Sequence, residues 1–524
     1  MHHVNRNRRL ILKGGLAAGS LFLPVPYAYV WAQSDGTMKL LRAPKVALVL
    51  GNSKYKEAPL KNPANDAKAI SEALKASGFD VTLKMDAGKA DMAAAVQAYV
   101  QTLAAKKSVG LFYYAGHGIQ LAWRNYMLPV DADINTIVDI QKQGVEVNSL
   151  IEGITKAANP MNLIILDACR DNPFGNLKGV DQKGLSQMDA PPSTLLAYAT
   201  SPGNVASDGD GANGLYTENL LRELKVPEAK VEDIFKRVRL GVRVKSKGAQ
   251  IPWESTSLEE DFWFLPPKEL KKLSEAEKER AFKEELALWE RIQKSSEPGP
   301  FEDYLRRYPN GNFSELAQLD LDRVLAKQGE KKILVASQEG NPFTKGSAAA
   351  NTNFKVGDSY SYRVLDYFSK AERSRVTDTV VRISDDEVIF DSGLVTDLLG
   401  NNLKLRNGVR FTPNQTLPLE YAVGKRWVTR FNVISPNGQT GSVAGNVRVA
   451  GREVITVPAG TFDTFRIEIR TYADFPNLAR STNETNYWMA PDKVRLQVVR
   501  EQLARRNNQP YVAERYELTS FKQS

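Results

Sequence analysis

The sequence predicts a mainly parallel α/β domain over residues 42–265, a short helical segment over 266–330 and, beyond a linker at 331–352, an antiparallel β domain over 353–524. Three observations carry this. Up to residue 265, continuous apolar runs such as "KVALVLGN" and "NLIILDAC" alternate with amphipathic stretches, as in a parallel sheet covered on both faces. From 266 the chain turns charged and helix-periodic. From 353 helix signals vanish, and alternating runs bounded by Gly, Asn, Pro and Asp take over. A length of 524 residues fits about three domains of roughly 150 residues each.

Residues 1–32 read as an export signal. A basic front (Arg6, Arg8, Arg9, Lys13) precedes a moderately apolar middle, and small residues stand before a plausible cut after Ala32. Arg8-Arg9 followed by Leu10, Ile11, Leu12 and Lys13 resembles the twin-arginine signal that bacteria use for folded proteins; an ordinary secretory leader or an uncleaved anchor are the alternatives. The expected location is the bacterial periplasm or beyond. Losing 1–32 takes four positive charges from the net +9 and leaves +5. So small a surplus, scattered among 25% charged residues, gives no argument for a nucleic-acid partner. No second apolar run is long enough for a bilayer-spanning helix.

In the α/β region, "KVALVLGN" reads as a strand, "NPANDAKAISEALKASGF" as a capped helix and "DVTLKM" as a strand. There follow a helix through "ADMAAAVQAYVQTLAAK", a strand through "SVGLFYYAGHG", a short one at "NYMLPVDA" and a helix at "VNSLIEGITKAA". The cysteine-bearing strand, the strand "STLLAYAT" and helices at "GLYTENLLREL" and "VEDIFKRVRLGVRVK" complete it. Between 266 and 330, an amphipathic helix precedes a helical pair around "YPNGN". Tyr304, Leu305, Tyr308, Pro309, Phe313 and Ala317 resemble a fragment of a tetratricopeptide-type hairpin. Such arrays need about three repeats to stand alone, so the segment reads as a spacer or partner surface, or simply as a solvated helix. The β region, with "VITVPAGTFDTFRIE", "YWMAP" and "ERYEL", resembles a β-rich module of bacterial envelope proteins, an open or closed barrel with either a ligand-binding or a spacing role.

Histidines occur only at 2, 3 and 117, and Cys169 is the one cysteine. A single thiol makes no internal disulfide. With the leader gone, one His and one Cys exclude a His/Cys zinc site and any Ser-His-Asp hydrolase not built on His117. His117 closes the run "VGLFYYAGHG" and Cys169 closes "LIILDAC". If these strands are parallel neighbours, their carboxyl ends bring both residues to the sheet edge where open α/β folds place ligands. An imidazole beside a thiol can help ionise it and later protonate a leaving amine. Glycines on either side of His117 would keep its loop open, with the N–H groups of Gly118 and Cys169 as oxyanion donors. Against this stands the ordinary case of an inert buried Cys and a structural His.

"YYAGHG" and "DACRDNP", with "VLGNSKY", "NYMLPVDADI" and "LLAYATSPGNVASDGDGANGLYTENLL", closely resemble the bacterial branch of the caspase-like peptidases, family C14, related to metacaspases and paracaspases. The resemblance runs through about residues 44–245, and the 52-residue interval from His117 to Cys169 is similar to that of caspases. It implies a caspase-like sheet, His117 as general base and acid, Cys169 as nucleophile and Gly118 as an oxyanion donor. Caspases proper carry Gln-Ala-Cys-Arg-Gly, whereas here Asp167 stands two before the nucleophile and Asp171 two after it, which argues against Asp-directed cleavage. In metacaspases and paracaspases an aspartate at the position of Asp167 selects Arg or Lys before the cut, as a carboxylate in a narrow pocket should. Asp208 is the expected second wall and Asp210 a weaker candidate, although Asp-Gly pairs also serve tight turns.

Lys178 and Lys183, in the loop where caspase-type enzymes are cut, are candidate self-processing sites. No loop has the spacing of a dedicated calcium site, so no cofactor is expected, with calcium activation left open. The expected function is thus an exported cysteine endopeptidase acting on protein or peptide substrates after Arg or Lys. The alternative is an envelope binding or scaffolding protein whose caspase-like domain is silent.

Overall fold

The eight-stranded sheet that organises the first half of the molecule has the order β2-β1-β3-β6-β7-β8, with β4 on β3 and β5 on β4. The structure is a computed structural model, and it describes residues 36–169, 177, 184–204, 211–270, 272–330, 340–476 and 478–524. The leader with Arg8 and Arg9, the Cys169 side chain, Lys178, Lys183, Asp208 and Asp210 lie outside the described residues.

The sheet strands are β1 Lys45–Gly51, β2 Asp80–Met85, β3 Val109–Leu121, β4 Arg124–Met127, β5 Val145–Glu146, β6 Met161–Cys169, β7 Thr194–Tyr198 and β8 Trp253–Thr256. The pairs β1/β2, β1/β3, β3/β6 and β6/β7 are parallel, whereas β4 and β8 run antiparallel to their neighbours. Helices α1 Pro63–Ala76, α2 Lys89–Lys106, α3 Ile137–Gln143, α4 Val147–Ala157, α5 Leu215–Glu223 and α6 Val231–Ser246 accompany it. Successive strand residues point to opposite faces. Accordingly Tyr113 of β3 reaches Thr217 of α5, while the adjacent Phe112 packs its ring 6.4 Å from Tyr99 of α2. Because both faces are covered, the central strands are apolar throughout: in β1, Val46 to Leu50 are all buried.

Next come α7 Glu275–Ile292, α8 Pro298–Arg307 and α9 Ser314–Lys327. Ser274 starts α7 with a capping box on Glu277. Among the described residues, the α8–α9 hairpin packs on α7 and stacks on no further repeat. Trp289 of α7 lies stacked on Phe313 (centroids 5.8 Å apart) and joins Tyr304, with Leu240 of α6 and Leu399 of the β domain in the same cluster. Ion pairs continue the contact on both sides: Arg243 of α6 with Asp322 and Glu330, and Lys425 of the β domain with Glu315.

Among the described residues, twelve antiparallel strands between Ser359 and Lys522 close into a barrel, its first strand Ser359–Asp366 pairing with its last, Gln509–Lys522. Alternate residues such as Tyr360, Tyr362 and Val364 point inward and are buried. Ahead of the barrel, residues 341–345 lie along the 184–190 loop of the sheet domain. Asn341 donates to the Gln187 carbonyl, the Asp189 N–H donates to the Phe343 carbonyl, and the Asp189 carboxylate accepts from Thr344 Oγ1 and the Lys345 N–H. Phe343 packs on the sheet domain's core under the Arg124 guanidinium. No helix of the described residues is long and apolar enough to cross a membrane.

Candidate active site

β3 and β6 run in parallel register from Val109↔Met161 to Ala115↔Asp167, and resume at Gly118↔Cys169. Gly116 and His117 therefore face Ala168 alone, which is a β-bulge. The sequence suggested that His117 closes a strand and sits in an open loop. Instead β3 continues to Leu121 and folds back as β4, and His117 is buried in the bulge. The bulge turns the chain by one residue, so His117 leaves the strict alternation of the strand immediately beside the pair Gly118 and Cys169.

Tyrosine hydroxyls fix the bulge. The His117 N–H donates to Tyr55 Oη (2.9 Å), and Tyr55 donates to the Leu128 carbonyl (3.1 Å). Tyr114 donates to the His117 carbonyl (2.7 Å) and accepts from the Leu128 N–H (3.1 Å). A Cβ at Gly116, whose φ is +157°, would stand 2.5 Å from Tyr55 Oη and 2.7 Å from Tyr114 Oη. One at Gly118 would stand 2.5 Å from the Ala168 carbonyl. These glycines give room to hydroxyls and to the neighbouring strand, where the sequence suggested open loop space. The Leu128 N–H donates to the His117 carbonyl, so by antiparallel alternation the polar groups of Gly118 point to the β6 side, toward Cys169.

The imidazole is oriented by a main-chain group that no sequence pattern marks. His117 Nε2 lies 2.7 Å from the Ala58 carbonyl, and the ring packs 4.4 Å from that of Tyr55. A carbonyl only accepts, so Nε2 carries the hydrogen and Nδ1 is the nitrogen able to take a proton. Ala58 holds φ +51°, a strained conformation for a residue with a Cβ. Its loop is anchored where Asp86 accepts from the Ser53 and Lys54 N–H groups (2.8 and 2.9 Å), which with desolvation opposing holds that carboxyl below its usual range. A recess of about 40 Å³ opens beside His117 between Tyr55, Pro129 and Ile134.

Asp167, the residue of β6 paired with Ala115, is buried and carries its own support. Thr217 Oγ1 donates to Asp167 Oδ2 (2.8 Å), and Tyr113 Oη lies 2.6 Å from Thr217 Oγ1 and 3.4 Å from Asp167 Oδ2. Burial first, then the charges of Asp167 and Asp66, push the Tyr113 phenol well above its ordinary value, so it stays a donor. Asp66 of α1 is also buried and accepts from the Gly214 N–H and Asn213 Nδ2, both at 2.9 Å. It thereby pins the start of α5 directly after the segment containing Asp208. Tyr55, Ala58, Asp66, Tyr113 and Thr217 were not singled out by sequence reasoning. Among the described residues, no group of three or more His, Cys, Asp and Glu could hold a metal ion.

Residues 44–263 match the family model of the caspase domain, peptidase C14. They form a caspase-like domain of that family. The caspase-like region is 29% identical over 191 residues to mucosa-associated lymphoid tissue lymphoma translocation protein 1 of Homo sapiens, covering 35% of this chain and 22% of that protein. The Mus musculus homolog is 28% identical over 201 residues, covering 37% and 23%. The chain thus spans less than a quarter of the length of these curated relatives. Among solved structures, caspase-1 from Spodoptera frugiperda matches with a TM-score of 0.34 at 15% identity, over 43% of this chain and 93% of that one.

Proposed function

We propose that the chain is an exported cysteine endopeptidase that hydrolyses peptide bonds after Arg or Lys. The observation that carries this reading is the pairing of Gly118 with Cys169 beside the bulge that holds His117. Nδ1 of His117 takes the thiol proton, and the thiolate of Cys169 adds to the scissile carbonyl carbon. The N–H groups of Gly118 and Cys169 receive the developing oxyanion. Collapse breaks the C–N bond, and the imidazolium returns its proton to the leaving amine. Water, deprotonated by His117, then cleaves the thioester and releases the new carboxylate. Asp167, gripped by Thr217 and backed by Tyr113, with Asp208 as second wall, holds the cationic side chain before the cut. The burial of Asp66 and Asp167 on either side of Tyr113 makes this end of the site unfavourable for an acidic side chain.

The test is hydrolysis of fluorogenic peptides ending in Arg, Lys, Asp or Ala by the purified protein, with and without calcium, beside Cys169→Ala and Asp167→Asn. Cleavage after Arg or Lys that is lost in the first variant and weakened in the second is expected. Silence from folded, reduced protein would turn attention to a binding role centred on the barrel. Export is tested separately by the mass of the protein from the periplasm, expected to lack residues 1–32, and by its retention in the cytoplasm when Arg8 and Arg9 are both replaced by Lys.

A further inference from the structure

Each strand of the barrel is antiparallel to both neighbours, so the turns between consecutive strands alternate between its two ends. One end, with the turns that follow Ile383, Thr396 and Phe411, is docked on the rest of the molecule. There Leu399 joins Leu240 and Trp289, Asp385 pairs with Arg323 (3.3 Å) and Lys425 with Glu315 (3.0 Å). The turns that follow Asp366, Phe390, Lys404, Ile434, Asp474 and Arg506 make up the other end. Contacts run along this second rim. The Tyr367 N–H donates to the Ala513 carbonyl (3.2 Å), Gln439 Nε2 donates to the Pro476 carbonyl (3.1 Å), and a Cβ at Gly408 would lie 3.6 Å from Pro436.

Turns ordinarily carry Gly, Pro, Asn, Asp or Ser at their tips. Three successive hairpins of this rim instead present large apolar side chains to solvent: Leu478 (45% exposed), Tyr511 (54%) and Phe368 (61%). A single exposed hydrophobic residue needs no explanation, but a series along one rim marks a contact surface.

The charge left over on the rim is positive. Its acids are matched: Asp366 pairs with Arg373, Glu372 with Arg375 and Asp474 with Arg480, while Asp391 accepts from the Thr379 N–H (2.9 Å). Glu275 and Glu279 of α7, which lean on the barrel wall nearby, pair with Arg430 (3.1 and 3.3 Å). Lys404 and Arg410, by contrast, stand directly opposite each other across one turn; both are exposed, and among the described residues neither pairs with a carboxylate. Like charges directly opposite on a ladder cost stability, a cost that an anionic partner removes. Arg506 adds a third cation, held over the Tyr511 ring (5.1 Å).

We propose that this free end of the barrel docks on the surface of a bilayer containing anionic phospholipids. Phe368, Leu478 and Tyr511 enter the interfacial layer, while Lys404, Arg410 and Arg506 meet the phosphates. The turn carrying Lys404 and Arg410 and the apolar hairpins occupy different arcs of the rim, so an extended flat partner meets both at once where a small ligand would not. The barrel wall carries ion pairs such as Arg363 with Glu517 and Arg448 with Glu468 (both 2.6 Å), which suits contact through the end rather than a span. Nothing in this docking depends on peptidase activity.

Co-sedimentation of the purified full chain with phosphatidylglycerol–phosphatidylcholine vesicles, beside phosphatidylcholine alone, tests the proposal. Binding to the anionic vesicles that weakens with added salt is expected, with little to phosphatidylcholine. Phe368→Ser, Leu478→Ser and Tyr511→Ser should each weaken it about threefold or more, and Lys404→Gln and Arg410→Gln about fivefold each. All five positions are exposed, and thermal melting checks that the variants fold. In Phe368→Trp, brominated lipid should quench fluorescence beyond the quenching in the parent. The proposal is overturned by no binding, by binding that all five variants leave unchanged, which would place it elsewhere on the chain, residues 1–32 included, or by absent quenching. It is equally overturned if only the charge variants matter and soluble heparin binds as well as the vesicles do, since the rim would then serve a polyanion without a bilayer.

Discussion

Replacing Thr217 by Val removes the hydroxyl that donates to Asp167 and keeps the shape of the side chain. The carboxylate oxygen concerned then has Tyr113 at 3.4 Å in place of the 2.8 Å bond from Thr217. A hydrogen bond to a charged group contributes about 1.5–3 kcal/mol. At about 1.4 kcal/mol per factor of ten, kcat/KM for peptides ending in Arg or Lys should fall about 10- to 100-fold. In the proposed function Asp167 grips a side chain remote from the reacting atoms, so the loss should fall mainly on KM. Peptides ending in Ala should change little, and Thr217→Ser should recover most of the loss. Steady-state kinetics on the four peptides, with thermal melting to establish folding, provides the readout. Equal losses for Arg and Ala peptides, or none at all, would refute the placement of Thr217 behind a cation pocket.

Gly116→Ala should destabilise the protein by about 1–3 kcal/mol, because its Cβ enters the space of two fixed hydroxyls. Gly299→Ala in α8, where a Cβ meets nothing within 4 Å, should be stabilising by about 0.5–1 kcal/mol; urea unfolding compares the two. Burial, only partly offset by Arg323, pushes Asp320 up to about 7, so the folded state penalises its ionisation. That penalty is absent below about pH 4, where Asp320 is protonated in both states, and grows as pH rises to about 7. Asp320→Asn should therefore gain stability relative to the parent between pH 4 and 7, by up to about 2–4 kcal/mol; a difference independent of pH in urea titrations would contradict this. Incubated parent protein should show masses cut after Lys178 or Lys183 that Cys169→Ala lacks, and identical masses would end the self-processing idea.

Cys169 and His117 stood out in the sequence because each is the lone chemical candidate of its type at the end of an apolar run. The parallel sheet followed from those runs, since continuous burial marks strands covered on both faces, whereas the pairing of these two strands was only a condition that the β3/β6 register meets. The bulge did not, because two glycines flanking a histidine fit an open turn as well as a crowded strand. The Ala58 carbonyl has no residue-level signal, every residue having one. Asp66 is an acid in the first turn of a helix, an ordinary place for one, and Thr217 is one polar position in "GLYTENLLREL"; only tertiary packing brings them around Tyr113. In the β region, alternation marked strands, but closure depends on the pairing of Ser359–Asp366 with strand Gln509–Lys522, a contact between chain positions too distant for local pattern to reveal.

The contact between residues 341–345 and the 184–190 loop gives the molecule an order of completion during synthesis. The caspase-like sheet has all its described strands once residue 256 has left the ribosome, and Asn125 and Trp123 then already hold the loop at Ser186, next to Leu185, whose Cδ2 would meet a Cβ at Gly118 at 3.0 Å; at Gln187 and Asp189, however, the loop is fastened by residues made later. At roughly 5–20 residues per second, that delay amounts to several seconds or more. The nascent caspase-like domain thus passes through a stage in which its sheet is laid down but Gln187 and Asp189 still lack their partners, and that part of the loop is completed only when about two-thirds of the 524 residues have been made.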